Sequence, residues 1–335
     1  MNLWEKLKPR VVVSRCIEFD HCRWNGMIIK NKFVKLLKNY IEFLPICPEF
    51  EIGLGIPRDP VRIVKKDEEL RIIQSKTEKD LTRNMHKFID VFFHSLRNID
   101  GFLLKSQSPS CGIFQTKQYQ SIEKSSPVLS RGSGIFGLRV MEKYNKLAIE
   151  TEGRLHNFMI REHWLIKLYT LSRFRDVIAS HSKNELVKFQ TEHKLLFLAY
   201  NQTLMREMGK IISNPSKLRF EQIIKDYEAK LSQMLEKPPN FTTHINVLMH
   251  ALGYFSKGLK SEEKAYFLDQ LDAYRAGWIP LFMLTNLLNS WLARFDVKYL
   301  KKQVYFNPYP EKLITFDLRD SWRGRSLWHK ENAEN

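Results

Sequence analysis

Two of the four cysteines in this 335-residue chain fall close together in a polar stretch, SRCIEFDHCRWNG, at residues 14–26. Five residues separate Cys16 from Cys22. Cys47 stands beside a carboxylate in PICPE, and Cys111 lies among hydroxyl groups in KSQSPSCG. Most free cysteines are buried structural residues, but neither the Cys47 nor the Cys111 sequence environment is typical of a core. The surroundings therefore favour thiolate chemistry, as metal ligands or as catalytic groups.

The spacing of the cysteines bears on the kind of metal. Structural zinc sites usually use close pairs such as CxxC, and the sequence contains no such pair. Ligands gathered from distant parts of the chain suit an iron–sulfur cluster or a zinc ion bound by thiolates. Three cysteine ligands would leave one iron of a cluster open, which favours a catalytic role over electron transfer.

Strands must position these cysteines. Short apolar runs predict buried strands at RVVVS (10–14), FLPI (43–46), VRIV (61–64), LRIIQ (70–74) and GFLLK (101–105). Helical patterns lie between several of these runs, so the first half is predicted to be α/β with a Rossmann-like, mainly parallel sheet. Cys16, Cys47 and Cys111 each follow a predicted strand. Because ligands bind outside the carboxyl ends of parallel strands, the three sulfurs should converge at one edge.

The second half has a helical pattern throughout. The 3.6-residue periodicity predicts helices near 156–181, 184–212, 217–236, 241–258, 262–275 and 279–295. An all-α domain should therefore follow the α/β domain. We expect the α/β domain at 1–155, a connecting helix at 156–183, the helical domain at 184–325 and a disordered tail at 326–335.

The amino-acid composition and the net charge limit the classes of protein to which this chain can belong. An apolar fraction of 43% fits a globular chain of two domains. A formal net charge of +17, spread over both halves, would attract a polyanion such as nucleic acid, although a solvated basic surface is the plain alternative. The N-terminus does not resemble a signal peptide and no apolar stretch is long enough to span a bilayer. We expect a cytoplasmic protein with reduced thiols, no membrane association and no obligate protein partner.

Several motifs together resemble known families. The pattern SxC-x5-CR[WY]NG, then CPE followed by GLGxPR, then K-x2-SPSCG, resembles the TudS-like thiouracil desulfidase family and continues through SGIFG and EGRL. The second half is similar to the YbgA-type helical domain through FQTEHKLL, NVLMHALGYF and YLKKQVYFNPYP. The combination resembles the RudS-type desulfidases, which act on 4-thiouridine in tRNA.

The chain departs from these families at two places. Residues 17–20 read IEFD where the desulfidases commonly have a Leu-Leu-Gly-like stretch. Gln190 stands where the helical domain usually has histidine. The first departure affects the shape of the loop beside Cys16, and the second argues against an essential metal ligand at that helix position.

The resemblance implies a 4Fe-4S cluster held by three cysteines, with an open iron that binds the sulfur of a thiocarbonyl. We expect Cys16, Cys47 and Cys111 as the ligands, with Cys22 in reserve because a loop cysteine is less fixed. Glu49 should act as general acid or base. Ser108 is expected to orient substrate or water, with Ser110 as its competitor.

Other residues are candidates for holding a large anionic substrate. Arg23 and Trp24 follow Cys22 and are suited to grip an unstacked base. Arg131 and Gly132 begin the turn RGSGIFG, whose amides at a helix start favour a phosphate, although a plain tight turn is an equal alternative. Lysines and aromatics alternate in residues 298–312, which predicts either RNA contacts or a buried aromatic anchor. His244, in the helical half, is interpreted as a core or capping residue.

The predicted function is thus a 4Fe-4S-dependent, non-redox desulfidase that acts on thiolated uracil, with 4-thiouridine in tRNA as the expected substrate. It would give uridine and hydrosulfide by hydrolysis of the C–S bond. Free thiouracil or thiouridine nucleosides are the alternative substrates. A non-enzymatic RNA-binding protein that carries a structural metal is the alternative of a different class.

Overall fold

The computed structural model describes residues 7–66, 69–213 and 217–314. The predicted tail at 326–335, and residues 315–325 of the predicted helical domain, lie outside the described residues. The strands are β1 (Arg10–Ser14), β2 (Glu42–Ile46), β3 (Val61–Lys66), β4 (Glu69–Gln74), β5 (Gly101–Leu104), β6 (Thr116–Tyr119), β7 (Val128–Gly132) and β8 (Ala148–Thr151). The helices of the first half are α1 (Lys32–Leu37), α2 (Pro48–Glu51), α3 (Thr82–Ser95) and α4 (Ile135–Lys143).

The described part of the second half contains helices and no strands. They are α5 (Phe158–Ser180), α6 (Lys183–Glu192), α7 (Lys194–Tyr200), α8 (Gln202–Ser213), α9 (Phe220–Met234), α10 (Phe241–Phe255), α11 (Ser261–Arg275), α12 (Leu281–Arg294) and α13 (Lys298–Lys301). The predicted helix 184–212 is divided into α6, α7 and α8. Asn201 ends α7 in an extended conformation, and its side chain accepts a hydrogen bond from the Leu204 amide, as a helix-capping residue does. Within the described ranges, no helix is both long and apolar enough to cross a bilayer.

Strands β2, β1, β5 and β8 form, in that order, a sheet in which every neighbouring pair is parallel. Val11, Val12 and Val13 of β1 are fully buried, as expected for a central strand with helices on both faces. Val12 packs in the core with α3 and α4, whereas Val11 and Val13 share a core with α5. The predicted fold class, an α/β half followed by a helical half, is confirmed.

The other four strands form a separate mixed sheet in the order β4-β3-β6-β7. Strands β3 and β4 were expected in the mainly parallel sheet, but they pair antiparallel, with Lys66 opposite Glu69. Two intervening residues can close a hairpin, whereas a parallel crossover needs a dozen or more. Strands β6 to β8 were not predicted, because short strands such as TKQY carry little apolar signal.

Helix α5 joins the two halves. Trp164 is buried and its indole N–H donates to the carbonyl of Ala148 in β8 at 3.1 Å. One apolar core contains Val13 of β1, Leu168 of α5 and Phe255 of α10. The parallel sheet and the helical half are thus packed on each other through a shared core.

Glycines allow α4 to approach the loop 108–112 that follows β5. A Cβ atom added at Gly137 would lie 2.2 Å from the carbonyl oxygen of Gly112. One added at Gly134, which precedes α4, would lie 2.5–2.6 Å from three carbonyl oxygens of the same loop. The helix start therefore fixes this loop, which carries Cys111.

We predict that Gly137→Ala destabilises the protein by about 1–3 kcal/mol, because the methyl group must push the loop away. Gly209→Ala, in the interior of α8, is the matched control, since a Cβ there has no neighbour within 4 Å. The control should gain up to about 1 kcal/mol from helix propensity. Equilibrium urea denaturation measures both, and equal effects of the two substitutions would contradict the packing argument.

Candidate functional site at the carboxyl edge of the parallel sheet

The four cysteines lie together beyond the carboxyl ends of the parallel strands. Cys16 and Cys22 lie in the loop after β1, Cys47 caps α2 after β2, and Cys111 lies in the loop after β5. The thiol of Cys22 contacts the thiols of both Cys16 and Cys47. Cys47 Sγ lies 3.8 Å from the carbonyl oxygen of Cys22. The structure thus brings the cysteine held in reserve into the same group as the three expected ligands.

Proximity and burial make the thiols of Cys22, Cys47 and Cys111 hard to ionise. Contact with Cys22, then burial, raises the thiol pKa of Cys47. Burial raises the pKa of Cys111, and the nearby Cys47 and Glu49 add to it. Contact with Cys16 raises the pKa of Cys22. Several thiolates can share this space only if a positive group balances their charge.

Glu49 is held by Arg58 in a nearly enclosed ion pair. Arg58 Nε and Nη2 lie 3.0 and 2.6 Å from Glu49 Oε2, and the two side chains are 3% and 13% exposed. Arg58 Nη1 also donates to the carbonyls of Cys22 and Gly55, each at 3.0 Å. Burial opposes the charge of Arg58, but the Glu49 carboxylate outweighs it and the pKa of Arg58 rises. One side chain therefore joins the Cys22 loop to the carboxylate.

The two serines of SPSCG have different partners. Ser110 is buried and its hydroxyl donates to Glu49 Oε1 at 2.8 Å. Ser108 Oγ accepts hydrogen bonds from the amides of Ser110 and Cys111, at 3.2 and 3.1 Å. Ser108, expected to orient substrate or water, thus stabilises the turn, and Ser110 contacts the carboxylate.

Arg15, between Ser14 and Cys16, presents an unsatisfied donor at the site. Its Nη2 atom is buried without a hydrogen-bond partner in the described structure, whereas Nε lies 3.4 Å from Asp20 Oδ2 in an ion pair. The guanidinium stacks on Phe50 at 4.3 Å, and Nη1 lies 3.3 Å from Glu51. Arg15 also contacts the thiol of Cys22 and acts to lower its pKa. An orphaned guanidinium nitrogen beside a thiol fits an anionic group at this position.

A second ion pair lies at the same edge of the sheet. Lys105 Nζ is 2.9 Å from Glu152 Oε1, and both residues follow strands of the parallel sheet. Glu152 also accepts from the amide and the hydroxyl of Ser106. The Lys105 amide donates to Ser14 Oγ at 2.9 Å. These contacts connect the ends of β1, β5 and β8.

The remaining predicted substrate-binding residues lie in two different places, some beside the cysteines and some in the second sheet. Trp24 is 46% exposed and Arg23 is half-buried, next to the buried Cys22. Arg131 and Gly132 lie in β7, in the second sheet, with Arg131 opposite Lys117.

The turn before α4 differs from the expectation of a phosphate site. The amides of Gly134, Ile135 and Gly137 donate to carbonyls of Gly112, Pro109 and Ser110. These three amides are therefore not available to a substrate phosphate. Their role in the structure is to hold the cysteine loop.

The lysine and aromatic segment 298–312 is mostly core. Tyr305, Phe306 and Tyr309 are buried, as in the anchor alternative, so they do not form a stacking surface for RNA bases. Tyr299 stacks on Tyr254 at 5.4 Å, and Lys301 pairs with Asp296 at 3.0 Å. The aromatic spacing results from packing, because the consecutive residues 303–306 and then 309–310 turn into the helical core.

Sequence reasoning missed Arg58 and Arg15 as site residues. Both lie inside motifs, GLGxPR and SxC, so proximity to Glu49 and Cys16 was the available signal. Their contacts depend on the fold, because Arg58 follows Glu49 by nine positions and Cys22 by thirty-six.

The cysteine and carboxylate side chains at this site bear on which metal group it could hold. Within the described ranges, no group of three or more His, Cys, Asp or Glu side chains is arranged to hold a single metal ion. The chemistry of the set fits an iron–sulfur cluster, whose irons are bound by cysteine thiolates and which carries negative charge that Arg15 would meet. Cys16, Cys47 and Cys111 are the residues that would hold it, and Cys22, which contacts Cys16 and Cys47, is the nearest substitute.

Comparisons with known proteins divide the chain into two parts. Residues 11–152 match the family described as 2-thiouracil desulfurase. Residues 194–310 match DUF1722, a family described as being of unknown function.

Individual relatives match one part at a time. The uncharacterized protein YbgA of Escherichia coli (strain K12) is 28% identical over 130 residues, which cover 38% of this chain and 77% of YbgA. The uncharacterized protein YbbK of Bacillus subtilis (strain 168) is 25% identical over 111 residues, or 30% of this chain and 72% of YbbK. The solved structure of a [4Fe-4S]-dependent thiouracil desulfidase, TudS, is 23% identical, with a TM-score of 0.35, and the match covers 44% of this chain and 94% of TudS.

We predict that Arg58→Met destabilises the protein by about 3–5 kcal/mol, because it leaves the Glu49 charge in a nearly enclosed site without a partner. The double variant Arg58→Met with Glu49→Gln should recover part of this loss. Arg139→Met is the matched control, since its pair with Asp90 is exposed and worth at most about 1 kcal/mol. Thermal and urea unfolding measure all three, and additive losses in the double variant would contradict the coupling.

Proposed function

Because the chain joins an N-terminal domain of the 2-thiouracil desulfurase family to a C-terminal DUF1722 domain, we propose that it is a 4Fe-4S-dependent desulfidase of thiolated uracil. The family match supports an enzyme that acts on thiouracil. The observation that carries the finer proposal is the group of four thiols beside the Ser110–Glu49–Arg58 chain. A metal site that served structure alone would not need that carboxylate and hydroxyl.

The overall reaction is a hydrolysis without net redox change. Water adds at the thiocarbonyl carbon, the C–S bond breaks, and sulfur leaves as hydrosulfide while oxygen takes its place. When held by the thiolates, a cluster with an open iron supplies a Lewis acid that polarises the C–S bond.

The residues of the chain supply the proton transfers. Arg58 fixes Glu49 Oε2 with two hydrogen bonds, which leaves Oε1 as the oxygen that faces Ser110. We assign Glu49 Oε1 as the atom that takes a proton from the attacking water and returns it to the leaving sulfur. The Ser110 hydroxyl, already a donor to Oε1, would orient that water. Ser108 keeps the loop in the geometry that this requires.

We propose 4-thiouridine in tRNA as the substrate. The net charge of +17 suits a polyanion, and a helical domain of this size is not needed to bind a free base. Arg23 and the exposed Trp24 beside the cysteines are candidates for stacking on an unstacked base. The reaction would take place in the cytoplasm, where thiols stay reduced.

Free thiouracil or its nucleoside is the second candidate substrate. The burial of Tyr305, Phe306 and Tyr309 removes the aromatic platform expected for RNA, and this favours a small substrate.

The assay that tests the function is anaerobic incubation of the cluster-loaded protein with tRNA that contains 4-thiouridine. We expect loss of 4-thiouridine, measured by nucleoside analysis, with one hydrosulfide released for each base. Turnover of the nucleoside with unchanged tRNA would select the second candidate. A colourless, iron-free protein that holds one zinc ion would contradict a desulfidase of either kind.

Glu49→Gln should lower kcat by about 10²–10⁴-fold while the protein keeps its iron, because the amide cannot exchange the proton. Glu142→Gln, on an exposed side chain of α4, is the control and should keep full activity. Ser110→Ala should lower kcat more than Ser108→Ala at equal folded fraction. The reverse order would assign the orienting hydroxyl to Ser108.

Single Cys→Ser variants test the ligand set after anaerobic reconstitution. We predict loss of iron for the variants at Cys16, Cys47 and Cys111, each of which follows a strand of the parallel sheet, and retention of iron for Cys22→Ser. Iron analysis and the visible absorption of the cluster measure the outcome. Loss of iron in Cys22→Ser, with retention in one of the other three, would replace that residue by Cys22, whose contacts with Cys16 and Cys47 make it the nearest substitute.

A further inference from the structure

A cavity of about 60 Å³ lies in the helical half, where neither the cysteines nor Glu49 contribute to it. Helices α5, α7, α10 and α12 and the segment after α13 enclose it. Among its polar lining residues are Glu162, His163, Tyr200, His244, Tyr305 and Tyr309. Apolar and aromatic side chains, among them Phe158 and Phe306, form most of the remaining wall.

Glu162 is the charged group of this cavity. Within the described part of the chain, no hydrogen-bond donor or ion-pair partner accompanies its carboxylate. Burial alone raises the pKa of Glu162 to about 7. Its charge reaches the hydroxyl groups of Tyr200, Tyr305 and Tyr309, whose pKa values are raised first by burial and further by Glu162.

The histidines beside Glu162 do not compensate its charge. His163 Nδ1 lies 2.9 Å from the Tyr200 hydroxyl, and His244 Nδ1 lies 2.9 Å from the Tyr305 hydroxyl. Burial lowers the pKa of both imidazoles to about 4, so they are neutral in ordinary buffers. His244 is thus paired, as expected of a core histidine, but it also lines the cavity.

We propose that this cavity binds the ammonium group of a small aliphatic amine, with Glu162 as its counter-ion. Glu162 is half-buried, and an unpaired carboxylate with reduced access to water is costly, a cost that a cationic ligand would remove. Aromatic faces around a carboxylate favour ammonium groups through cation–π attraction. The volume decides between ligand classes, because a cavity of this size holds a few water molecules or an ammonium head and not a whole nucleobase.

This site is independent of the proposed desulfidase reaction. The test measures binding and uses no thiolated substrate, so its outcome does not depend on the cluster.

Calorimetric titration of the full-length protein with ethylammonium chloride, at a pH above the pKa of Glu162, tests the proposal. We expect saturable binding that Glu162→Gln weakens by about tenfold or more. Ethanol, which has a similar shape and no charge, should not bind. Glu228→Gln, an exposed position on α9, is the matched control and should bind like the unaltered chain. Equal affinity of the unaltered chain and the Glu162→Gln variant would overturn the proposal.

A second measurement needs no variant. The ring protons of His163 and His244 should shift in NMR spectra as ethylammonium is added, with the same dissociation constant as in the titration. Unshifted histidine signals would overturn the site even if heat were released. Titration with the amide of Nα-acetyl-lysine, beside 1,4-diaminobutane, separates a lysine side chain from a free amine as the source of the ammonium group.

Discussion

Strand β1 pairs in parallel with β2 on one side and with β5 on the other, and the arrangement of the site depends on this pairing. Parallel strands end at the same edge, so Ser14, Ile46 and Leu104 deliver the loops that follow them to one place. Segments that carry Cys16, Cys47 and Cys111 meet there although the outer two are ninety-five positions apart in the chain. The buried valines of β1 hold the pairing, because each face of the strand belongs to a different core.

The charges at this edge of the sheet follow from the meeting of the three cysteine-bearing loops. Thiols that approach one another in a buried place resist ionisation, and two arginines lie against them. Arg58 is fully engaged with Glu49 and with backbone carbonyls, so its role is to hold geometry. Arg15 is paired with Asp20 and Glu51, but its buried Nη2 has no hydrogen-bond partner in the described structure, so it is the arginine with capacity for an additional negative group. Arg58 thus carries a positive charge that is already paired, whereas the neighbouring Arg15 can also meet an additional anion.

The helical half contributes in two ways. Through α5 it completes the core beneath the sheet, with Trp164 bonded to the backbone of β8. It also encloses a cavity of its own, in which Glu162 lies among tyrosines and neutral histidines. Aromatics that the sequence pattern associated with RNA line that cavity, because residues 304–306 turn inward after α13. A basic surface and an aromatic interior therefore coexist in one domain.

The sequence by itself determined the strands β1 to β5, the helical second half and the group of cysteines with Glu49, because apolar periodicity and residue type are local properties. It could not determine that β3 and β4 leave the parallel sheet, since pairing depends on the length of the connection and on competing partners. Nor could it decide that Ser110 faces Glu49 while Ser108 stabilises a turn, because that choice rests on the direction of two side chains only two positions apart. The roles of Arg15 and Arg58 likewise depend on the tertiary structure. Each depends on distances between loops that only the closed fold fixes.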